Sequence, residues 1–216
     1  MEFNVADLFE AAADAVPERE ALVAGEVRHS FASLEQRANR AAHHLAESGV
    51  RAGDHVGVYA YNCAEYVEAM LACYKLRAVP INVNYRYVEK ELEYLFDNAD
   101  LIAVVHQRQF TPRIAAVRDR LPKLRHFVAI DDESGEDLAG LGSVPYEQAL
   151  AAARPDRGFE PRSPDDLYVL YTGGTTGMPK GVIWRQEDVI FALGGGIDHV
   201  TGGRARRPVG VPAKSA

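Results

Sequence analysis

The sequence has few of the residues that would mark a secreted, metal-bound or membrane-spanning protein. Only two cysteines occur in 216 residues, Cys63 and Cys73, and both fall on one predicted helix, where that spacing corresponds to about 15 Å along the axis. A disulfide tolerates roughly 7 Å between α-carbons. No CxxC or HExxH spacing is present either, so the thiols read as buried structural groups. No apolar run approaches the roughly 20 residues that cross a bilayer. Met1-Glu2-Phe3-Asn4 also lacks the basic-then-apolar order of a secretory signal, so the sequence predicts a cytoplasmic chain with no transmembrane segment. Positive charge is scarce too: 24 Lys and Arg against 31 Asp and Glu give a net charge of −7, and the only basic cluster, Arg204-Arg206-Arg207, is short. No extended basic face exists to displace counterions, which argues against nucleic acid as a partner.

The remaining composition, 47% hydrophobic and 25% charged, is that of a folded globular protein. Ser33 to Gly49 opens with a capping-box pattern, Ser33 and Gln36, carries apolar residues at helical spacing and stops at glycine. Short apolar strands then alternate with helices. Strands are predicted at His55 to Ala60, Val79 to Val83, Leu101 to His106 and His126 to Ile130. Helices are predicted from the Asn62 cap to about Arg77, from Val88 to Asn98 and from Phe110 to Leu121. This pattern implies an α/β fold, a mostly parallel sheet with helices on both faces. Asp131 to Asp137 reads as a solvated acidic loop, and Tyr146 to Ala153 as a helix. Four segments are therefore expected. Residues 1–153 form an α/β subdomain, and 154–166, rich in Pro and charge, form a connector. Residues 167–193 hold a strand, a glycine-rich loop, a second strand and the start of a helix. Residues 194–216 form a Gly/Arg/Pro-rich tail, expected to be a point of truncation.

The chemistry concentrates in Thr172-Gly173-Gly174-Thr175-Thr176-Gly177-Met178-Pro179-Lys180-Gly181, between the strands Leu167 to Tyr171 and Val182 to Trp184. Glycines leave backbone N–H groups open to a ligand and permit the concave amide arrays that hold anions. Threonine hydroxyls and the Lys180 ammonium complete a donor set suited to phosphate oxygens. A glycine-rich hairpin turn without function is the plain alternative; the three threonines and the Pro-Lys-Gly ending weaken it. A Walker A loop needs Gly-Lys-Ser/Thr in succession, which Gly177 to Gly181 does not provide, and Gly194-Gly195-Gly196 does not fit a dinucleotide fingerprint.

Tyr171 to Gly181 resembles the phosphate-binding motif of the adenylate-forming superfamily, which includes acyl-CoA synthetases, and the resemblance extends at lower specificity along the rest of the chain. Gly173 stands where many members carry serine. The resemblance implies the amino-terminal part of an AMP-forming acyl-CoA synthetase. Such an enzyme uses ATP with Mg2+ to convert a small-molecule carboxylic acid to an acyl-adenylate, and coenzyme A to take the acyl group. It assigns Thr172, Thr175 and Thr176 as hydroxyl donors, Gly173, Gly174 and Gly177 as backbone donors, and Lys180 as the charge partner of the phosphates. Trp184-Arg185-Gln186-Glu187-Asp188 is similar to a subset acting on fatty or sterol-derived acids, although Glu187 and Asp188 read more simply as the opening of a helix. The family's later motifs are absent. The isolated piece is therefore expected to be inactive and, with an uncovered sheet edge, to form oligomers. A non-catalytic nucleotide-binding module and a half-enzyme completed by a separate partner chain are the alternatives.

Overall fold

A computed structural model describes residues 3–174, 177–193 and 203. Helix α1 (Val5–Ala15) starts at Asn4, whose side chain accepts from the Ala6 amide, and a hairpin of β1 (Glu20–Ala24) and β2 (Val27–Ser30) follows. Neither element was expected from the sequence. The hairpin leads into α2 (Phe31–Glu47), which begins at Ser30 and not at the predicted Ser33. The reason lies outside the helix. The first amides, Phe31 and Ala32, donate to the carbonyls of Arg19 and Pro17, and Ser30 Oγ accepts from Ser33 N at 3.2 Å.

From there the expected alternation holds. The chain runs through β3 (His55–Tyr59), α3 (Ala64–Lys75), β4 (Val79–Asn82), α4 (Glu89–Asn98), β5 (Leu101–Gln107), α5 (Thr111–Arg118) and β6 (His126–Ile130). A short β7 (Val144–Pro145) and α6 (Tyr146–Ala152) precede β8 (Leu167–Gly174), β9 (Gly177–Arg185) and α7 (Gln186–Leu193). Cys63, not Asn62, occupies the cap position of α3, so Cys63 precedes the helix that contains Cys73. Both thiols are free, and burial pushes each up to about 12, which keeps them protonated.

The seven-stranded sheet has the order β7-β6-β5-β3-β4-β8-β9. All neighbours are parallel except β8 and β9, which form an antiparallel hairpin at one edge. One face packs against α2, α3 and α6 through Ala42, Leu45, Val56, Ala72 and Val105; the other packs against α4 and α5 through Ile81, Leu92, Leu95, Val104 and Ile114. Gly57 in β3 is required by a close approach, since a β-carbon there would sit 2.8 Å from Leu101 Cδ1.

Charge is buried where the connector crosses the helical face. Lys75, fully buried, places Nζ 2.5 Å from Glu10 Oε1 and 3.4 Å from Glu35 Oε1. Arg157 pairs with Glu35 and Asp14, and Arg162 with Asp7 and Glu10. Residues 154–166 are thus strapped to α1 and α2 by arginines, which is why a segment without an apolar pattern still has a fixed path.

Candidate functional site

The predicted glycine-rich loop is mostly strand. Its first three residues complete β8 and its last five open β9, with Gly174 opposite Gly177 and Thr172 opposite Lys180. Thr175 and Thr176, assigned above as hydroxyl donors, lie outside the described residues, as does the tail 194–202 and 204–216. The ladder slips between Thr172 and Gly174, a local irregularity that leaves Gly173 without a partner in the register. Cross-strand partners project to the same side of a hairpin, so the Thr172 hydroxyl and the Lys180 ammonium share one face, and both are exposed. Among the described residues Lys180 has no carboxylate partner, in contrast to Arg185 on the same strand, which pairs with Asp165, Glu187 and Asp188. Thr172 and Lys180 are therefore brought together at one end of the hairpin, and among the described residues the ammonium has no ion-pair partner.

Gly181 is fixed by Tyr171. The two residues are cross-strand partners, and a β-carbon on Gly181 would lie 3.1 Å from the Tyr171 ring. That ring is held in turn by its hydroxyl, which donates to Asn98 Oδ1 at 2.9 Å. Tyr171 also lines a recess of about 360 Å3 with Ala60, Asn62, Tyr66, Asn82, Val83, Asn84, Tyr85 and Tyr87. Its floor is the carboxyl ends of β3 and β4, where ligands commonly bind in parallel α/β sheets. The lining holds Ala, Val, Asn and Tyr side chains and no Asp, Glu, Lys, Arg or His; burial pushes the Tyr66 phenol further up, to about 12, and its hydroxyl donates to Asn82 Oδ1 at 2.7 Å. The hairpin end thus offers cationic and hydroxyl donors beside a neutral, tyrosine-walled hollow.

The base of the hairpin holds residues that the sequence reading missed. Asp166, just before β8, accepts from both Nε and Nη2 of Arg77, from Asn4 Nδ2 and from Ser163 N. Gln186, just after β9, is fully buried and accepts from Val5 N at 2.9 Å. Asn4-Val5-Ala6-Asp7 is a readable helix start, an Asn cap with an acid in the first turn. Its partnership with Asp166 and Gln186 is not readable, since more than 160 residues intervene. Glu187 and Asp188 lie in the first turn of α7, as the helix-opening reading anticipated.

Comparisons with known proteins bear on the same region. The AMP-binding enzyme family matches residues 9–207. A 3-oxocholest-4-en-26-oate–CoA ligase from Rhodococcus rhodochrous is 52% identical over 202 residues, which cover 94% of this chain and 36% of that protein. A medium/long-chain-fatty-acid–CoA/3-oxocholest-4-en-26-oate–CoA ligase from Mycobacterium marinum is 50% identical, covering 92% and 37%. Among solved structures, the anthranilate CoA ligase AuaEII in complex with anthranoyl-AMP superposes with a TM-score of 0.80 at 25% identity, over 88% of this chain and 36% of that one. The inhibitor-bound N-terminal domain of FACL13 from Mycobacterium tuberculosis gives 0.76 at 26% identity, over 88% and 46%. The chain spans a little over a third of the length of these two curated relatives.

Proposed function

The chain belongs to the AMP-binding enzyme family, and from that premise we propose that it is the amino-terminal part of an acyl-CoA ligase, a cytoplasmic enzyme that activates a fatty or sterol-derived carboxylic acid. ATP with Mg2+ would supply the adenylyl group and coenzyme A the acceptor thiol. The observation that carries the reading is the Lys180 ammonium, without an ion-pair partner among the described residues, opposite the Thr172 hydroxyl and beside the Gly174–Gly177 pair. In this reading Thr172, Thr175 and Thr176 donate hydroxyl hydrogen bonds to the phosphates, and Gly173, Gly174 and Gly177 donate from the backbone. Lys180 neutralises charge that accumulates on the departing pyrophosphate. These donors hold the anion before reaction, so little reorganisation accompanies charge movement. The substrate class follows the named relatives, which act on sterol-derived and fatty acids.

Titration of the chain with Mg-ATP by calorimetry tests the site. A charge-assisted hydrogen bond contributes about 1.5–3 kcal/mol, so Lys180→Ala should weaken binding about 10- to 100-fold without moving the melting temperature. Equal affinities would remove Lys180 from the site. Carboxylate-dependent exchange of labelled pyrophosphate into ATP then tests the acid activation. The reading expects no exchange from this chain alone, and turnover without any further polypeptide would contradict it. Among the described residues nothing pairs with the outer edge of β9, and Val182, Ile183 and Trp184 are exposed, which suits a sheet that is completed by further polypeptide.

A further inference from the structure

The β8–β9 hairpin is held along its length on one side, where Val169 is buried in the core and the Tyr171 hydroxyl donates to Asn98 Oδ1. Its parallel register with β4 has one pair, Ile81 opposite Val169, and among the described residues β9 is the edge strand. Its two feet, in contrast, are densely bonded. The Asp166 carbonyl accepts from Gln186 N at 2.8 Å, joining one foot to the other. The Asp166 carboxylate, 8% exposed, takes Arg77 Nε and Nη2 on Oδ1 at 3.0 and 2.9 Å. On Oδ2 it takes Asn4 Nδ2 at 3.2 Å and Ser163 N at 3.0 Å. Gln186 reaches Val5 N through Oε1, while its Nε2 has no partner among the described residues. Arg77 itself sits at φ 61, the left-handed region that few non-glycine residues occupy. Such a conformation persists where surrounding bonds over-determine it.

We propose that Asp166 is a positioning residue: clamped by Arg77 and Asn4, it sets the direction in which the hairpin leaves the sheet and therefore where Thr172 and Lys180 present their donors. A rigid two-stranded lever transmits a small change at its feet to its far end, and Asp166 bonds the cap of α1, the turn after α3, Ser163 of the connector and the opposite foot. The inference rests on the reading of residues 172–181 as a phosphate site, but the bracing can be measured without nucleotide.

The test compares the wild-type chain with Asp166→Asn, Arg77→Lys and Asn4→Ala by hydrogen exchange over residues 168–182, Mg-ATP titration and thermal melting. Asp166→Asn keeps the size but turns one oxygen into an N–H2 that faces two donors, and Arg77→Lys loses the two-point contact. Both should speed exchange in the hairpin and weaken Mg-ATP binding, each about tenfold. The double variant should be no worse than the worse single one, because the two side chains act as a pair. A variant that melts lower while exchange and affinity stay at wild-type values would reduce Asp166 to a structural salt bridge and overturn the inference. If Asp166→Asn fails to fold, Arg77→Lys and Asn4→Ala carry the same readouts, and unchanged exchange in both overturns it. Faster exchange in a chain whose wild type does not bind Mg-ATP would support the brace and refute the nucleotide reading.

Discussion

Acidification from about pH 7.5 to about pH 5 should cost the fold about 2 kcal/mol through His106 alone. This imidazole is fully buried at the end of β5. Nδ1 lies 2.9 Å from the Gln107 carbonyl oxygen, which can only accept, so Nδ1 carries the proton and Nε2, 3.0 Å from Ser143 Oγ, accepts. Burial pushes the imidazole down to about 4, and the Gln107 carbonyl and the Asp132 charge offset only part of that. The folded value lies below the unfolded value of about 6.5, so the contribution is complete above 6.5 and is lost as pH falls toward 4. A gap of roughly two and a half pH units is worth about 3 kcal/mol in total, of which about 2 is gone by pH 5. His44 and His126 are also held low, chiefly by burial, and steepen the wild-type slope in the same window. Glu10 is desolvated, but Lys75 and Arg162 hold its carboxyl low overall, and its contribution is lost only further into acid. Urea titrations across this range for wild type and His106→Gln isolate the one residue. The variant starts less stable and should lose about 2 kcal/mol less between the two pH values; parallel stability curves would show that His106 does not titrate as argued.

Two other substitutions probe the edge hairpin. Gly181→Ala places a methyl group against the Tyr171 ring, and a forced shift of that ring should cost about 1–3 kcal/mol and break its bond to Asn98, visible as a lower urea midpoint and a changed tyrosine environment. Ile183, the most exposed large apolar side chain of β9 at 66%, should drive self-association through the open edge, and Ile183→Lys should reverse it. Sedimentation at increasing concentration decides, and a monodisperse wild type would end the argument.

What the sequence made legible was local. From α2 to β6 each element declares itself by spacing and by its stop, and the parallel direction of these strands follows from alternation, while their order in the sheet does not. The missed pieces share a physical cause. Glu10 interrupts the buried face of α1, and its compensating cation, Lys75, is 65 residues away; a periodicity search scores both as surface positions. The start of α2 moved because distant carbonyls, those of Arg19 and Pro17, supply partners that a local capping rule cannot foresee. At the candidate site the composition of residues 172–181 pointed to phosphate chemistry, while its geometry as a paired ladder with Thr172 across from Lys180 did not show in the residues. Glycine reads as loop even where a neighbouring strand straightens it.

The bonds from Asn4 and Val5 to Asp166 and Gln186 also set an order of events at the ribosome. Helix α1 can pack on α2 and α3 through Phe9 and Glu10 long before, but the bonds from its cap to Asp166 wait for some 160 further residues, about 10–30 seconds at roughly 5–20 residues per second. Over that interval Asn4 Nδ2 and Val5 N lack their final acceptors, and the chain must close a very long loop before that docking rewards it.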